Sequence, residues 1–198
     1  MALVSRREWF FLTMATPLAK GFSAQPLVVR LDGDYLHFNA PQLRLVNSTM
    51  LERLHDGASV AFLGQVSLSL DGNLTVADRS VARFALSYDI WEEKFSVTRI
   101  QQTRRVASHL SLDSAQSWIV ENLTLSAGSI PREGPFWLRF EIRVEDPNDA
   151  LGVVGESGIN LTKLVEIFSR PPRTTQPRWS FDAGPLRMSQ LRAGNVKF

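Results

Sequence analysis

The chain has 198 residues, of which 44% are hydrophobic and 21% are charged, and it contains no cysteine. This composition is typical of a globular protein that is long enough to bury a hydrophobic core. The absence of cysteine excludes disulfide bonds, thiolate metal sites and a cysteine nucleophile.

Residues 1–24 have the pattern of an export signal. Arg6 and Arg7 form a basic start, an apolar stretch follows, and small residues end the segment. The sequence SRREWF resembles the twin-arginine signals of exported bacterial proteins, with a serine before the arginine pair and aromatic residues two and three positions after it. We therefore predict a signal peptide and a location in the periplasm or at the extracytoplasmic face of a bacterial envelope. The alternatives are a leader retained as an anchor, or a first helix of the mature fold, which Pro17 would interrupt.

The leader also carries the whole net charge of the chain, which is +2. Residues 1–24 hold three of the 22 basic residues and one of the 20 acidic residues, so the rest of the chain has equal numbers of both. Nucleic-acid-binding domains usually present an excess of basic residues, and we therefore predict no nucleic-acid partner. Because no apolar run reaches the roughly 18 to 20 residues of a membrane-spanning helix, we expect no transmembrane segment after processing.

After residue 25 the chain alternates between apolar and polar residues, which is typical of half-buried strands. The predicted strands cover 27–39 as a hairpin, then 60–70, 81–90, 95–98 and 136–144, with a short edge segment at 41–46. Tight turns join several of these strands, which favours antiparallel pairing. The predicted fold is mainly β (α+β), as an antiparallel β-sandwich or a strongly curved sheet with two or three short helices.

Three segments have the apolar spacing of short helices. Each follows a residue that can accept a hydrogen bond from the first helical turn, and the predicted N-caps are Ser48, Asp113 and Asn160. A glutamine three residues after Asp113 completes the pattern of a capping box. We expect these helices to cover the ends of the sheets.

The remaining segments indicate the domain organisation. Residues 146–159 are rich in glycine, proline and acidic residues, and they form the predicted internal linker. We expect a single mainly-β domain over 25–185 and a polar C-terminal tail over 186–198.

Several segments occur in an order that resembles a known family. They are LERLHDGASVAFLGQVSLSL, RFALSYDIWEEKFSVTRI, SLDSAQSWIVENL, FWLRFEIRVED, and IFSRPP before RWSFDAGPL. Together they are similar to a family of small exported bacterial proteins known as a domain of unknown function, over roughly residues 35–185. The chain differs by lacking a tryptophan-rich segment where Asp71-Gly72-Asn73 stands. The resemblance implies a small, exported, mainly-β protein and carries no activity.

The sequence lacks a recognisable catalytic or cofactor motif. The histidines His37, His55 and His109 have no second ligand at a metal-binding spacing. A Gly-x-Ser-x-Gly elbow and a glycine-rich phosphate loop are also missing. We therefore predict no enzyme activity, no cofactor and no metal, with a hydrolase as the alternative that these patterns leave open.

The sharpest candidate site lies on the outward face of the predicted strand 136–144. Trp137, Arg139 and Arg143 alternate there with apolar residues, and tryptophan and arginine are enriched at protein interfaces. We predict an interface at these residues, unless a helix or the tail covers Trp137.

These observations favour a non-enzymatic exported protein of the bacterial envelope, which acts as an interaction or assembly module for another envelope protein. The alternative is a carrier that binds a small apolar ligand or lipid in a β-sheet cavity. The phenylalanines that would enclose such a ligand are Phe62, Phe84, Phe95, Phe136 and Phe140. Residues of this type also form ordinary cores.

Overall fold

The computed structural model describes residues 27–72, 75–101, 103–145, 154–155, 158–159, 161–169 and 176–197. The predicted signal peptide, with Arg6 and Arg7, lies outside the described residues, and so does the predicted N-cap Asn160.

The described residues form twelve strands, four α-helices and one short 3-10 helix, Ala127–Ser129. In chain order they are β1 (Val28–Asp32), β2 (Tyr35–Asn39), α1 (Ser48–His55), β3 (Val60–Ser69), β4 (Val76–Asp89), β5 (Lys94–Ile100), β6 (Arg105–Leu110), α2 (Leu112–Glu121), β7 (Leu125–Ser126), β8 (Phe136–Val144), β9 (Val154–Gly155), β10 (Gly158–Ile159), α3 (Leu161–Ser169), β11 (Arg178–Leu186), α4 (Met188–Ala193) and β12 (Val196–Lys197).

The strands form two main antiparallel sheets. The large sheet has the order β11-β8-β3-β4-β5-β6, and the small sheet has the order β12-β1-β2-β7. Strands β9 and β10 pair separately as a short hairpin within the predicted linker. The mainly-β, antiparallel fold class predicted from the alternation is therefore confirmed.

The core lies between one face of the large sheet and the small sheet. Phe62 of β3, Phe84 of β4 and Phe140 of β8 are fully buried on this inner face. The ring of Phe38 in β2 lies 5.3 Å from that of Phe140 in β8, so the small sheet packs directly on the inner face of the large one. Helix α2 closes the core on the β5 side, where Trp118 meets Phe84 edge to face.

The residues that cap the first two helices lie one or two positions before the predicted N-caps. Asn47, not Ser48, caps α1, because its Oδ1 accepts a hydrogen bond from the backbone N of Met50 at 2.9 Å. Ser111, not Asp113, caps α2 through its Oγ. Both are good N-cap residue types, so propensity alone does not choose between close neighbours.

Gln116 has a tertiary role instead of the predicted capping role. Its buried Oε1 accepts hydrogen bonds from the backbone N of Leu45 at 2.7 Å and of Val46 at 3.1 Å. These bonds tie the segment 41–46 to α2, and this segment is an irregular connection, not the predicted edge strand.

The C-terminal segment is part of the folded domain. Residues 186–198 were expected to form a polar tail, but they contain α4 and β12, and β12 extends the small sheet by pairing with β1. Met188 and Leu191 of α4 are buried in the core. The amphipathic spacing of these two residues places them on one face of α4, which explains why so polar a segment is ordered.

Within the described part of the chain, we find no helix that combines the length and the apolar character needed to cross a membrane.

Candidate functional site

The predicted interface residues lie on the outer face of β8, as the alternation indicated. Arg139 pairs with Asp182 of the neighbouring β11 through two hydrogen bonds, with Nε–Oδ1 of 2.6 Å and Nη2–Oδ2 of 3.2 Å. This hydrogen bonding to Asp182 raises the pKa of Arg139. The guanidinium is therefore already engaged within the sheet.

Arg143 requires a correction, because it is not available to a partner. Its residue surface is only 2% exposed, and its guanidinium carbon lies 4.0 Å from the ring centroid of Phe168 in α3. Glu141 lies beside Arg143, at 3.6 Å, and forms an ion pair with Arg178 at 3.0 Å. The outer face that looked solvent-exposed in the sequence is therefore partly a buried ionic layer beneath α3.

Trp137 is half-buried over β11. A Cβ atom added to Gly184 would lie 2.5 Å from Cδ1 of Trp137, so the indole ring occupies the space that a side chain at 184 would need. An aromatic ring that covers a glycine on a neighbouring strand stabilises the sheet edge. Trp137 therefore packs against the neighbouring strand β11, whereas the alternative named a helix or the tail as its cover.

A different tryptophan is fully exposed. Trp91 lies in the turn between β4 and β5 and is 95% exposed, and its neighbour Ile90 is 58% exposed. Large apolar side chains in such a position contribute nothing to the core, and they are typical of interaction sites. We refer to residues 89–93 as the aromatic tip.

The turn that carries Trp91 is held by local hydrogen bonds. Oδ1 of Asp89 accepts from the backbone N of Trp91 at 2.9 Å and from that of Glu92 at 3.1 Å. Glu93 then adopts a left-handed conformation, with φ of 52°. The side chain of Asp89 thus closes the turn in the manner of an Asx turn and orders its backbone.

A β-bulge supports the tip from the adjacent strand. The pairing of β5 with β6 shifts register between Phe95 and Val97, and His109 of β6 has φ of 61°. The bulge brings Nε2 of His109 to 2.9 Å from Oε2 of Glu92. Bulges commonly re-aim a side chain in this way, and here the result is a second connection to the tip.

An aromatic stack lies at the base of the tip. Tyr88 contacts Phe95 on one side and His55 of α1 on the other, with ring centroids 4.9 Å and 4.6 Å apart. Because Phe95 is buried in the core, the last residues of β4 are anchored to the body of the domain. Trp91 is therefore presented on a well-supported turn.

Residues 91–93 fall between the predicted strands 81–90 and 95–98, and no role was predicted for Trp91. The position of Trp91 in a turn could have identified it. Tight turns favour Gly, Asn, Asp and Ser, and a tryptophan in a turn has no local structural role.

A polar cleft of about 620 Å³ opens at the other end of the β4–β5 hairpin. Its walls come from β2, the start of β4, the end of β5, the start of β6, the end of α2 and β7, and they include Arg79, Arg99 and Arg105. The five phenylalanines considered for an apolar ligand are buried in the core, and among the described residues none of them lines this cleft. The carrier hypothesis therefore gains no support from it.

The three histidines lie apart from one another. His55 stacks on Tyr88, His109 contacts Glu92, and His37 lines the polar cleft. Over the described ranges, we find no group of three or more His, Asp or Glu side chains that could hold a metal ion.

Comparisons with family models, with curated proteins and with solved structures found no match to this chain. The resemblance to a family of small exported bacterial proteins therefore stays a prediction.

Proposed function

We propose that the chain is a non-enzymatic interaction module, exported to a bacterial envelope, that binds a partner protein through the aromatic tip. The observation that carries this proposal is the 95% exposure of Trp91 on a turn that hydrogen bonds hold in place. A tryptophan buries roughly 150 to 250 Å² when a partner covers it, and tryptophan is the residue type most enriched among interface hot spots.

The hydrogen bonds that fix the conformation of the turn also support a binding role. Asp89 and Glu92 are already fixed by hydrogen bonds and by the contact with His109. A preorganised turn loses little conformational entropy when a partner binds, so more of the contact energy appears as affinity.

The charges around Trp91 indicate the chemistry of the partner. Three carboxylates flank the exposed apolar residues in sequence, from Asp89, Glu92 and Glu93, with Lys94 as the nearest cation in sequence. An apolar pocket with a cationic rim is complementary to this arrangement, and such complementarity accelerates association most at low salt.

A photo-crosslinking experiment in the native cells tests the tip. Benzoylphenylalanine at position 90 lies beside Trp91, and the same group at position 70 replaces Leu70, another exposed apolar residue at the end of β3. We expect a covalent adduct of discrete mass from position 90 and none from position 70. Adducts of equal yield from both positions would contradict the proposal.

Trp91→Ala is the matching loss-of-contact variant. We expect it to abolish the adduct from position 90 while changing the free energy of unfolding by no more than about 0.5 kcal/mol, because the side chain is almost fully exposed. Unfolding in urea checks this stability. An adduct that persists in the Trp91→Ala background would rule out Trp91 as the anchor.

Lipid vesicles distinguish a protein partner from a membrane surface. Because the tip carries carboxylates, we expect no cosedimentation of the full chain with vesicles that contain anionic phosphatidylglycerol. Cosedimentation that Trp91→Ala removes would assign the tip to a lipid surface instead.

The proposed location depends on the leader and has its own test. Replacement of Arg6 and Arg7 with lysine should leave the precursor in the cytoplasm, since twin-arginine export requires the arginine pair. Cell fractionation and immunoblotting show where the variant is located. Normal export of the variant would overturn the twin-arginine assignment, and the proposed role of the tip would be unaffected.

A further inference from the structure

Arg99 and Arg105 are placed directly opposite each other on neighbouring strands. They are paired residues in the antiparallel register of β5 with β6, so their side chains leave the same face of the sheet. Both line the polar cleft, and Arg79 of β4 lines it too. The Cβ atoms of such directly opposite residues are only about 5 Å apart.

This arrangement is unfavourable for the free protein. Like charges that are directly opposite in an antiparallel pair destabilise the sheet. Arg99 is also partly buried, and desolvation, with a further contribution from Arg105, lowers the pKa of its guanidinium. The protein therefore keeps two cations together at a position where an apolar or oppositely charged residue would be more stable.

Among the described residues, these cations form no ion pair within the cleft. Within the described part of the chain, no carboxylate lies within ion-pair distance of the guanidinium of Arg79, Arg99 or Arg105. Nε of Arg99 is buried and has no hydrogen-bond partner among the described residues. A buried donor without a partner has a free-energy cost, so the position of Arg99 is unfavourable for stability alone.

Two carboxylates, of Asp78 and Glu121, also line the cleft, and one oxygen of each accepts a hydrogen bond from a neutral donor. Oδ1 of Asp78 accepts from the backbone N of Arg79 at 2.7 Å, and Oε1 of Glu121 accepts from Nδ2 of Asn39 at 3.2 Å. These contacts orient both acidic side chains, and neither carboxylate forms an ion pair with an arginine among the described residues.

We propose that this cleft binds a small ligand through an oxyanion group, a phosphate or a carboxylate, held between Arg99 and Arg105. Guanidinium groups form paired, charge-assisted hydrogen bonds to both kinds of oxyanion, and the opposed arginines offer such donors from two sides. A bound oxyanion removes the repulsion between the arginines. The site is independent of the aromatic tip, since it lies at the other end of the β4–β5 hairpin.

The size and the lining of the cleft narrow the class of ligand that it could bind. A volume of about 620 Å³ lies within the usual range for small-molecule sites. Ser80, Thr103 and Ser126 add neutral polar groups to the walls. The ligand is therefore a small hydrophilic molecule with a terminal oxyanion, and not a fatty acid or another long apolar chain.

Calorimetric titration of the full chain with inorganic phosphate, and separately with succinate, tests the site. Sodium chloride at matched ionic strength is the control for non-specific screening. We expect binding of at least one probe and an increase in Tm with that probe but not with chloride. A preference for phosphate or for succinate then identifies which oxyanion the natural ligand carries.

Substitution of the opposed arginines with glutamine tests whether they are responsible for binding. Arg99→Gln and Arg105→Gln should each weaken binding of the active probe about tenfold or more. Arg53→Gln, which removes the same charge from an exposed position on α1, should bind like the native protein. Because Arg105 is exposed, its variant keeps the test valid even if Arg99→Gln fails to fold.

The stability of the ligand-free variants separates a binding role from a structural one. Without ligand, Arg99→Gln should melt at the same temperature as the native protein or higher, since the repulsion from Arg105 is gone. Absence of binding of both probes up to about 10 mM would overturn the proposal. Unchanged binding in both arginine variants would overturn it as well.

Discussion

The guanidinium of Arg83 holds the carboxylate of Glu145 by three hydrogen bonds, with Nη2–Oε2 of 2.6 Å and Nε at 2.9 and 3.0 Å from the two oxygens. The two residues are 62 positions apart in sequence. Their ion pair spans β3, because Arg83 lies on β4 and Glu145 follows β8. The carboxylate is almost completely buried, and the backbone N of Glu145 donates to the carbonyl of Ala61 at 2.8 Å.

We expect the loss of one partner of this ion pair to be costly. Arg83→Met or Glu145→Met leaves a buried charge uncompensated, which should lower the free energy of unfolding by about 3 kcal/mol. The double variant removes both charges and should recover most of this loss. Urea unfolding of the four proteins measures the coupling, and strictly additive losses would show that the two side chains do not depend on each other.

Gln116 provides a second test of a long-range polar contact. Gln116→Ala removes the acceptor for the backbone N of Leu45 and of Val46, and we expect it to lower the free energy of unfolding by about 2 kcal/mol or more. Gln42→Ala, at an exposed position in the same segment, should change it by less than about 0.5 kcal/mol. Equal effects of the two substitutions in thermal or urea unfolding would contradict this role of Gln116.

Position 184 requires glycine because of its backbone conformation and because Trp137 lies against it. It has φ of 145°, and an added Cβ would meet Trp137, so Gly184→Ala should destabilise the domain by about 3 kcal/mol. Gly33→Ala is the matched control, because Gly33 also has a positive φ but open space around it, and it should cost only about 1 kcal/mol. Combining Gly184→Ala with Trp137→Leu should restore the part of the loss that comes from the clash, as measured by unfolding in urea.

The C-terminal helix is predicted to contribute to stability. Leu191→Ala truncates a buried side chain of α4 and should cost about 3 kcal/mol. Arg192→Ala changes the next, exposed residue and should cost less than about 0.5 kcal/mol. If both variants melt at the same temperature, α4 does not belong to the cooperative core.

The strands that could be predicted from sequence are those with one buried face over many residues. In β3 and β8 the inner face is continuous, from Phe62 to Leu68 and from Phe136 to Ile142, so a period of two is visible without any tertiary information. Strand β6 lacks such a face, because Val106 is exposed and the bulge at His109 interrupts the alternation. Local periodicity therefore found the centre of the large sheet but not its β6 edge.

The candidate sites depended on information that local patterns do not contain. Arg143 alternates with apolar residues like a solvent-facing side chain, and only the position of Phe168 in α3 shows that it is buried. Likewise, Arg99 and Arg105 are opposed because of the register of β5 with β6, which a shift by one residue would change completely. Register and the packing of distant elements are set by the whole fold, and sequence spacing reports neither of them.

The length of the β4–β5 hairpin separates its two ends widely. From Ser80 at the cleft to Trp91 at the tip, the extended chain covers about 35 Å, several times the Debye length at physiological salt. Charges at one end are therefore screened from those at the other. The proposed ligand of the cleft and the proposed partner of the tip would therefore not repel each other through their charges. Combined substitutions at Arg105 and Trp91 should accordingly behave as two separate changes, each with its full individual effect.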